Sequence, residues 1–388
     1  MNYSKTDKKT HKSDCNKSSE RLCVEQYLLQ GIFKGCEAPL LTTYKDVVYT
    51  HENYWRDYQI SLNNQKNFEY KSKLFNNFKN GKIIHYGLSE IQIKRTEKKL
   101  KLQKAFLNSN IIYDKITGNS IPLSSIIVSP NHSPNRYYAE IQNRVNTLIN
   151  EADSRELVPL FMTITLPSKY HPFKHGAKGI LIKNSKYNGT RPSEAVKILT
   201  KRFAKLRNDR SLRNITKDER IYYRVNEPHK SGTPHTHILY YVPKDSIYKV
   251  MTAFKRLFPQ QGNNIQNDIN NSTAYIMKYI NKTLPKSKAK KLTQKERYLN
   301  AWYSEHNITR FSSSRTLAPL YLYRLLYQRY TLKTLTKAYK EKKLTILCQI
   351  DNIDKVMEIF EGEELVYMRN ENYKLERYDI THEFQKVA

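Results

Sequence analysis

Residues 220–243, RIYYRVNEPHKSGTPHTHILYYVP, place two apolar, β-favouring runs on either side of a Pro- and Gly-containing connection. That pattern predicts an antiparallel hairpin whose seven-residue connection is PHKSGTP. Residues two apart on a strand share a face, so His235 and His237 present two imidazoles side by side while Thr236 points the other way. The hairpin also folds Glu227, eight residues before His235, back towards the pair.

Two neutral imidazoles and a carboxylate form a candidate site for a divalent cation. Oxygen ligation and open positions suit Mg²⁺ or Mn²⁺ acting on a phosphate substrate. His229, in the turn, is an alternative third ligand. The competing reading is that the pair is ordinary core or surface histidine.

The flanking sequence extends the hairpin into a domain. LVPLFMTITLP (157–167) reads as a central strand, preceded by a helix in YYAEIQNRVNTLINEAD from Tyr137. TRPSEAVKILTKRFAKLRND opens with Thr190 and Pro192 as helix-entry signals and puts Ala195, Leu199, Phe203 and Leu206 on one face. KDSIYKVMTAFKRLF from Lys244 is a further amphipathic helix with Ile247, Met251, Phe254 and Leu257 in register, and residues 270–283 form a short helix. Strand, helix, strand, strand, helix is the order of a ferredoxin-like unit. The expected fold class is therefore α+β, an antiparallel sheet with helices on one face.

A cation that activates a phosphate also needs a nucleophile, and YIMKY supplies one. Tyr275 and Tyr279 are four apart and share a helix face with Lys278, whereas Ile276, Met277 and Ile280 lie opposite and can bury against the sheet. Tyr54/Tyr58 and Tyr323/Tyr327 have the same spacing, so it is the position after the HxH hairpin that singles this pair out. A phenol titrates near pH 10, so a cationic Lys278 would favour the reactive phenolate. Attack on a phosphodiester would leave a phosphotyrosine and a free hydroxyl, conserving the bond for later rejoining.

Charge points to the same substrate class. The chain has 67 Lys and Arg against 36 Asp and Glu, a formal net charge of +31, which calls for an anionic partner such as nucleic acid. The excess is uneven, because residues 351–388 hold ten acids and five bases. Lys169 and His171 after the first strand, and Lys282, Lys286 and Lys288 after the tyrosines, are candidate DNA contacts. There is no GxxxxGK[ST] loop, so no nucleotide hydrolysis is expected. No run of about eighteen apolar residues and no signal-peptide core are present, which predicts no membrane association. His11, Cys15, Cys23 and Cys36 have irregular spacing without a CxxC and read as ordinary residues of a reduced compartment.

FMTITLPSKYHP, EPHKSGTPHTHILYYV and STAYIMKYINK, in that order, resemble the three motifs of HUH endonucleases, most closely the phage replication gene A protein family of rolling-circle initiators. RPSEAVKILTKRFAKLR and AWYSEHNITRF resemble further segments of that family, so that the similarity covers about residues 120–330. The resemblance implies metal ligation by His235, His237 and Glu227, nucleophilic Tyr275 and Tyr279, and nicking of single-stranded or supercoiled origin DNA. It further implies a host helicase and polymerase as partners in the cytoplasm of a bacterial host. Thr236 stands where the family usually has a bulky apolar residue, predicting looser packing behind the metal. The length of the chain suggests a plasmid or satellite-element form.

The expected organisation is an N-terminal basic region (1–120) of unassigned role, an HUH nuclease core (121–285), a basic, mainly helical segment (286–345) and an acidic C-terminal tail (346–388). A mobilisation relaxase or transposase would use the same catalytic residues. A non-catalytic nucleic-acid-binding protein would use HxH and YxxxY for packing and stacking alone.

Overall fold

The structure is a computed structural model that describes residues 51–76, 78, 85–115, 118–176, 181–284, 292–350, 355–369 and 373–377. Backbone proximity divides the chain into two units, residues 1–69 and 70–388. The first unit contributes, among the described residues, the start of helix α1 (His51–Asn76). His11 and the cysteines Cys15, Cys23 and Cys36 lie outside the described residues, as do Lys286 and Lys288.

In the second unit, α2 (Glu90–Asn108) begins at a capping box in which the Ser89 hydroxyl and the Gln92 side chain each accept the other's backbone N–H. Strands β1 (Asn110–Asp114) and β2 (Ser120–Pro122), the short α3 (Leu123–Ile126) and α4 (Pro134–Asp153) follow. Next come β3 (Leu157–Ile164), the small ribbon β4 (Phe173–His175) and β5 (Leu181–Lys183), and α5 (Pro192–Arg207). The hairpin is β6 (Ile221–Pro228) and β7 (Pro234–Pro243), succeeded by α6 (Ile247–Leu257), β8 (Asn264–Gln266) and α7 (Ser272–Thr283). Beyond these lie α8 (Gln294–Glu305), β9 (Phe311–Ser313), α9 (Leu320–Leu326), α10 (Leu332–Lys340) and strands β10 (Leu344–Ile350), β11 (Lys355–Glu361), β12 (Glu364–Arg369) and β13 (Tyr373–Arg377).

The central sheet has five antiparallel strands in the order β8-β3-β7-β6-β9. Its first four strands, with crossover helices α5 and α6, follow the β-α-β-β-α-β path of the ferredoxin-like motif, so the expected α+β class holds. Strand β8 was not legible because it is three polar-flanked residues long. The hairpin connection is shorter than expected, since Pro228 pairs with Pro234 and only residues 229–233 lie between.

Helices on one face describes α5 and α6 alone. They bury Leu199, Phe203, Val250 and Phe254 against Leu160, Met162, Ile238 and Tyr240. The opposite face is also covered, because α4 and α7 place Ile141, Val145, Leu148, Ile276 and Ile280 on Phe161, Val225, Leu239 and Tyr241. Central strands that are apolar on both faces need two covers, and each fully buried Leu, Ile or Phe contributes about 1.5–3 kcal/mol to holding its helix in place. The α5 stripe Ala195, Leu199, Phe203, Leu206 is buried as its spacing predicts. The α6 stripe is rotated: Val250, Ala253 and Phe254 are buried, whereas Met251 is only partly so.

The acidic C-terminal segment contains strands. β10, β11 and β12 form an antiparallel meander whose Ile359 packs with Leu322 and Leu326 of α9 and Leu335 of α10. β13 pairs with β1, ahead of the central sheet in sequence.

Candidate metal and tyrosine centre

Pairing register assembles the centre. Glu227 of β6 is directly opposite His235 of β7, and Thr163 of β3 is directly opposite His237. All four lie on the face covered by α4 and α7. Glu227 Oε2 is 3.7 Å from His235 Nε2 and 3.5 Å from His237 Nε2, and one ligand atom from each residue falls within 4.8 Å of the others. The three side chains are only 8–13% exposed.

Proton placement follows from the neighbours. His237 Nδ1 is 3.0 Å from Thr163 Oγ1, so an Nδ1–H that donates to the hydroxyl leaves the Nε2 lone pair facing Glu227. Burial, reinforced by His229, His237 and Lys282, holds His235 well below the usual imidazole range and therefore neutral. Glu227 Oε1 and His235 Nδ1 are buried without a hydrogen-bond partner. Orphaned polar atoms of this kind are costly in a core, and beside them Glu227 Oε2 and the two histidine Nε2 atoms converge, a carboxylate and two imidazoles that fit a divalent cation.

Helix α7 brings the tyrosines to this face. It starts at Asn271, whose side chain accepts the Ala274 N–H, and it buries Ile276, Met277 and Ile280 as expected. The Tyr279 ring lies 3.9 Å from the His237 ring, centroid to centroid, and both pack on Phe161. Tyr275 sets its edge against Phe161 and donates its hydroxyl to Gln266 Oε1 at 3.0 Å. Burial, then Tyr275 and the Glu227 charge, push the Tyr279 hydroxyl up to about 12. The cation placed against that ring is Lys282, 4.7 Å from its centroid. Lys278, expected to share the reactive front, is exposed on α7, as is Lys282.

The other candidate contacts separate. His171 is half-buried, tied through Nε2 to the Leu166 carbonyl at 2.9 Å, and faces His229 edge-on. The His229 ring is 4.2 Å from that of His235, so the turn histidine belongs to the rim of the centre. Burial lowers both imidazoles, His229 to about 4. Lys169 is exposed, with its ammonium over the Tyr170 ring.

Thr163, Phe161 and Gln266 are participants that motif spacing did not reveal. The odd-number parity of Phe161 and Thr163 puts them on one face of β3, but only register shows that this is the His237 face. Thr236 does not loosen the packing behind the ligands: it is 1% exposed and donates to Asn226 Oδ1 at 2.8 Å.

The profile of the bacteriophage replication gene A protein (GPA) family matches residues 52–287, which include the triad and both tyrosines. The chain belongs to this family. Among similar proteins, the replication protein of Haemophilus phage HP1 (strain HP1c1) is 30% identical over 178 residues, covering 42% of this chain and 21% of the relative. The replication gene A protein of Escherichia phage 186 is 29% identical over 164 residues, covering 37% and 22%. A probable replication endonuclease from prophage-like region 1 of Salmonella typhi is 25% identical over 255 residues, covering 59% and 30%. The matched stretch thus spans less than a third of each of these relatives. No solved structure matches the chain.

Proposed function

We propose that the protein is a cation-dependent endonuclease and strand transferase of the HUH type that nicks single-stranded or supercoiled origin DNA to initiate rolling-circle replication of a phage or plasmid. The observation that carries this reading is the stacking of Tyr279 on His237, which sets a hydroxyl-bearing helix against the Glu227–His235–His237 triad. Gene A membership and relatives named as replication endonucleases agree with it.

Glu227, His235 and His237 would hold Mg²⁺ or Mn²⁺, which when bound supplies Lewis-acid polarisation of the scissile phosphate. Thr163 fixes the tautomer of His237, and Phe161 backs both His237 and Tyr279 so that ligand and nucleophile keep one geometry. The tyrosine oxygen forms the new bond to phosphorus, its proton passes to solvent, and the P–O3′ bond breaks. The 3′ oxygen takes a proton from solvent and leaves as a hydroxyl that can prime synthesis, while the 5′ phosphate stays on tyrosine. Lys282, beside the Tyr279 ring, offsets charge that develops on the phenolic oxygen. Tyr275, whose ring centroid is 6.0 Å from that of Tyr279, serves the second cut while the first strand is held.

The net charge of +31 supplies the attraction for DNA, and Lys169, His171, Lys282, Lys286 and Lys288 are the proposed contacts. Host helicase and polymerase complete the process in the bacterial cytoplasm. No helix among the described residues is long and apolar enough to cross a membrane.

The test is a denaturing gel of the protein with Mn²⁺ and labelled single-stranded DNA from its own replicon. A metal-dependent covalent adduct that disappears in the Tyr275→Phe/Tyr279→Phe double variant is expected. Folded protein that binds this DNA and forms no adduct on any part of it would instead identify a binding module.

A further inference from the structure

The metal-site hairpin is braced by residues that lie beyond the stretch matched by the gene A family profile. Edge pairing of β6 with β9 ends at Val225. Asn226, the next residue, is 2% exposed, and each of its polar groups is engaged. Its N–H donates to the Arg310 carbonyl at 2.9 Å, and its Nδ2 donates to the Thr309 carbonyl at 2.9 Å. Its Oδ1 accepts from Thr236, and its backbone carbonyl accepts the Tyr303 hydroxyl. Thr236 sits between the two histidines, and Glu227 is the next residue after Asn226, so one side chain links the strand of the carboxylate to the strand of the imidazoles.

The same segment fixes the turn and the tyrosine helix. Trp302, 0% exposed, donates to the Gly232 carbonyl at 3.0 Å. Arg310, 5% exposed, lies over the Tyr303 ring, donates to Asn300 Oδ1 at 2.7 Å and reaches the Thr283 carbonyl at the end of α7. The capping box of α8, Thr293 with Glu296, starts the helix that carries Asn300, Trp302 and Tyr303.

We propose that Asn226, on the opposite face of the sheet, and Tyr303, through the Asn226 backbone carbonyl, are positioning residues of the cation site that hold Glu227 against His235 and His237. This rests on the cation-site reading above. Neither is a ligand: Asn226 points to the opposite face because consecutive residues on a strand alternate, and the Tyr303 hydroxyl is taken by the Asn226 backbone carbonyl. Their effect passes through the backbone of β6 and through Thr236. Loss of a partner that orients a ligand commonly weakens metal affinity by about 10–100-fold.

The experiment measures Mn²⁺ binding to the DNA-free full chain by loss of the free-ion electron paramagnetic resonance signal, alongside thermal unfolding. The set is wild type, Asn226→Ala, Tyr303→Phe, Thr236→Val and the Asn226→Ala/Tyr303→Phe pair. Asn226→Ala is expected to weaken Mn²⁺ binding by about 10–100-fold. Tyr303→Phe and Thr236→Val, which each remove one hydrogen bond and keep the shape, should weaken it by smaller factors in protein that still unfolds cooperatively. Tyr303→Phe added to Asn226→Ala should cost less than it does alone, because the two act through one backbone position. Lower melting temperatures with Mn²⁺ affinity unchanged in Tyr303→Phe and Thr236→Val would show a purely structural role and overturn the proposal. A wild type that binds no Mn²⁺ would overturn the cation-site reading itself, a result distinct from variants that bind as wild type does.

Discussion

The Tyr279 ring rests on the His237 ring with centroids 3.9 Å apart and planes inclined by 35°, so a nucleophile candidate and a ligand candidate share one packed surface. Because the contact is made by the ring and not by the hydroxyl, the two can be separated by substitution. Tyr279→Phe should keep Mn²⁺ affinity and change stability by no more than about 0.5 kcal/mol, while adduct formation attributable to Tyr279 is lost. Mn²⁺ titration, thermal unfolding and the denaturing gel together check this. Loss of Mn²⁺ binding in the variant would show that the hydroxyl belongs to the ligand set.

Thr163 is the predicted control on the other side of His237. Its hydroxyl meets Nδ1 at 3.0 Å, and Thr163→Val removes that partner without opening a large void. Mn²⁺ affinity should fall by about 10–100-fold, and adduct yield at saturating Mn²⁺ should largely recover. A variant whose affinity equals that of wild type would mean that the imidazole is held by Phe161 packing alone.

Much of this centre was legible in the sequence because its signals are local. HTH on an apolar strand gives two imidazoles on one face, and the YIMKY helix separates a buried back from a polar front by periodicity alone. What stayed hidden depends on register and on distant segments. Thr163 meets His237 across strands, Gln266 sits on a three-residue edge strand, and Tyr303 reaches Asn226 from 77 residues away. The second helical layer was missed for a related reason: α4 and α7 were each readable as helices, but nothing in their spacing says which sheet face they cover.

Acid sensitivity should track His306. This imidazole is buried beside Tyr70 and Trp302 and is lowered to about 4, chiefly by burial, with Glu305 opposing and Arg191 adding. Between its unfolded value of 6.5 and about 4, the unfolded chain binds a proton that the folded chain does not. Stability is therefore unaffected above pH 6.5 and falls as pH drops through this window, by at most about 3 kcal/mol from this residue. Urea unfolding of wild type and His306→Phe at pH 7.5 and 4.5 should show a smaller loss in the variant. An equal loss in both would assign acid sensitivity to other buried histidines.

Gly232 should be intolerant of a side chain. It occupies φ +86°, and a Cβ there would stand 2.2 Å from the Tyr86 carbonyl oxygen. Gly232→Ala therefore either strains the turn between the ligand strands or expels residues 86–87 from it, at a cost of about 1–3 kcal/mol. Reduced stability together with weaker Mn²⁺ binding is expected, since the same turn carries the Trp302 hydrogen bond. Unchanged values for both would show that the turn tolerates displacement.

Two lysines on α7 give the sharpest comparison, because both are exposed and share the tyrosine face, yet it is Lys282 that lies over the Tyr279 ring. Lys278 lies between the tyrosines in sequence, whereas Lys282, exposed like it, places its ammonium 4.7 Å from the Tyr279 ring centroid and adds to the electrostatic field at His235. A cation there opposes the burial that pushes the Tyr279 hydroxyl up to about 12, and it does so where negative charge builds as the phenol loses its proton. Lys282→Met keeps the aliphatic stem on the ring and removes the charge. It should slow single-turnover adduct formation at saturating DNA more than Lys278→Met does, and raising the pH should restore part of the lost rate. If Lys278→Met were the slower variant, the charge acting on the nucleophile would come from Lys278, and the Lys282 contact with the Tyr279 ring would not be the one that assists attack.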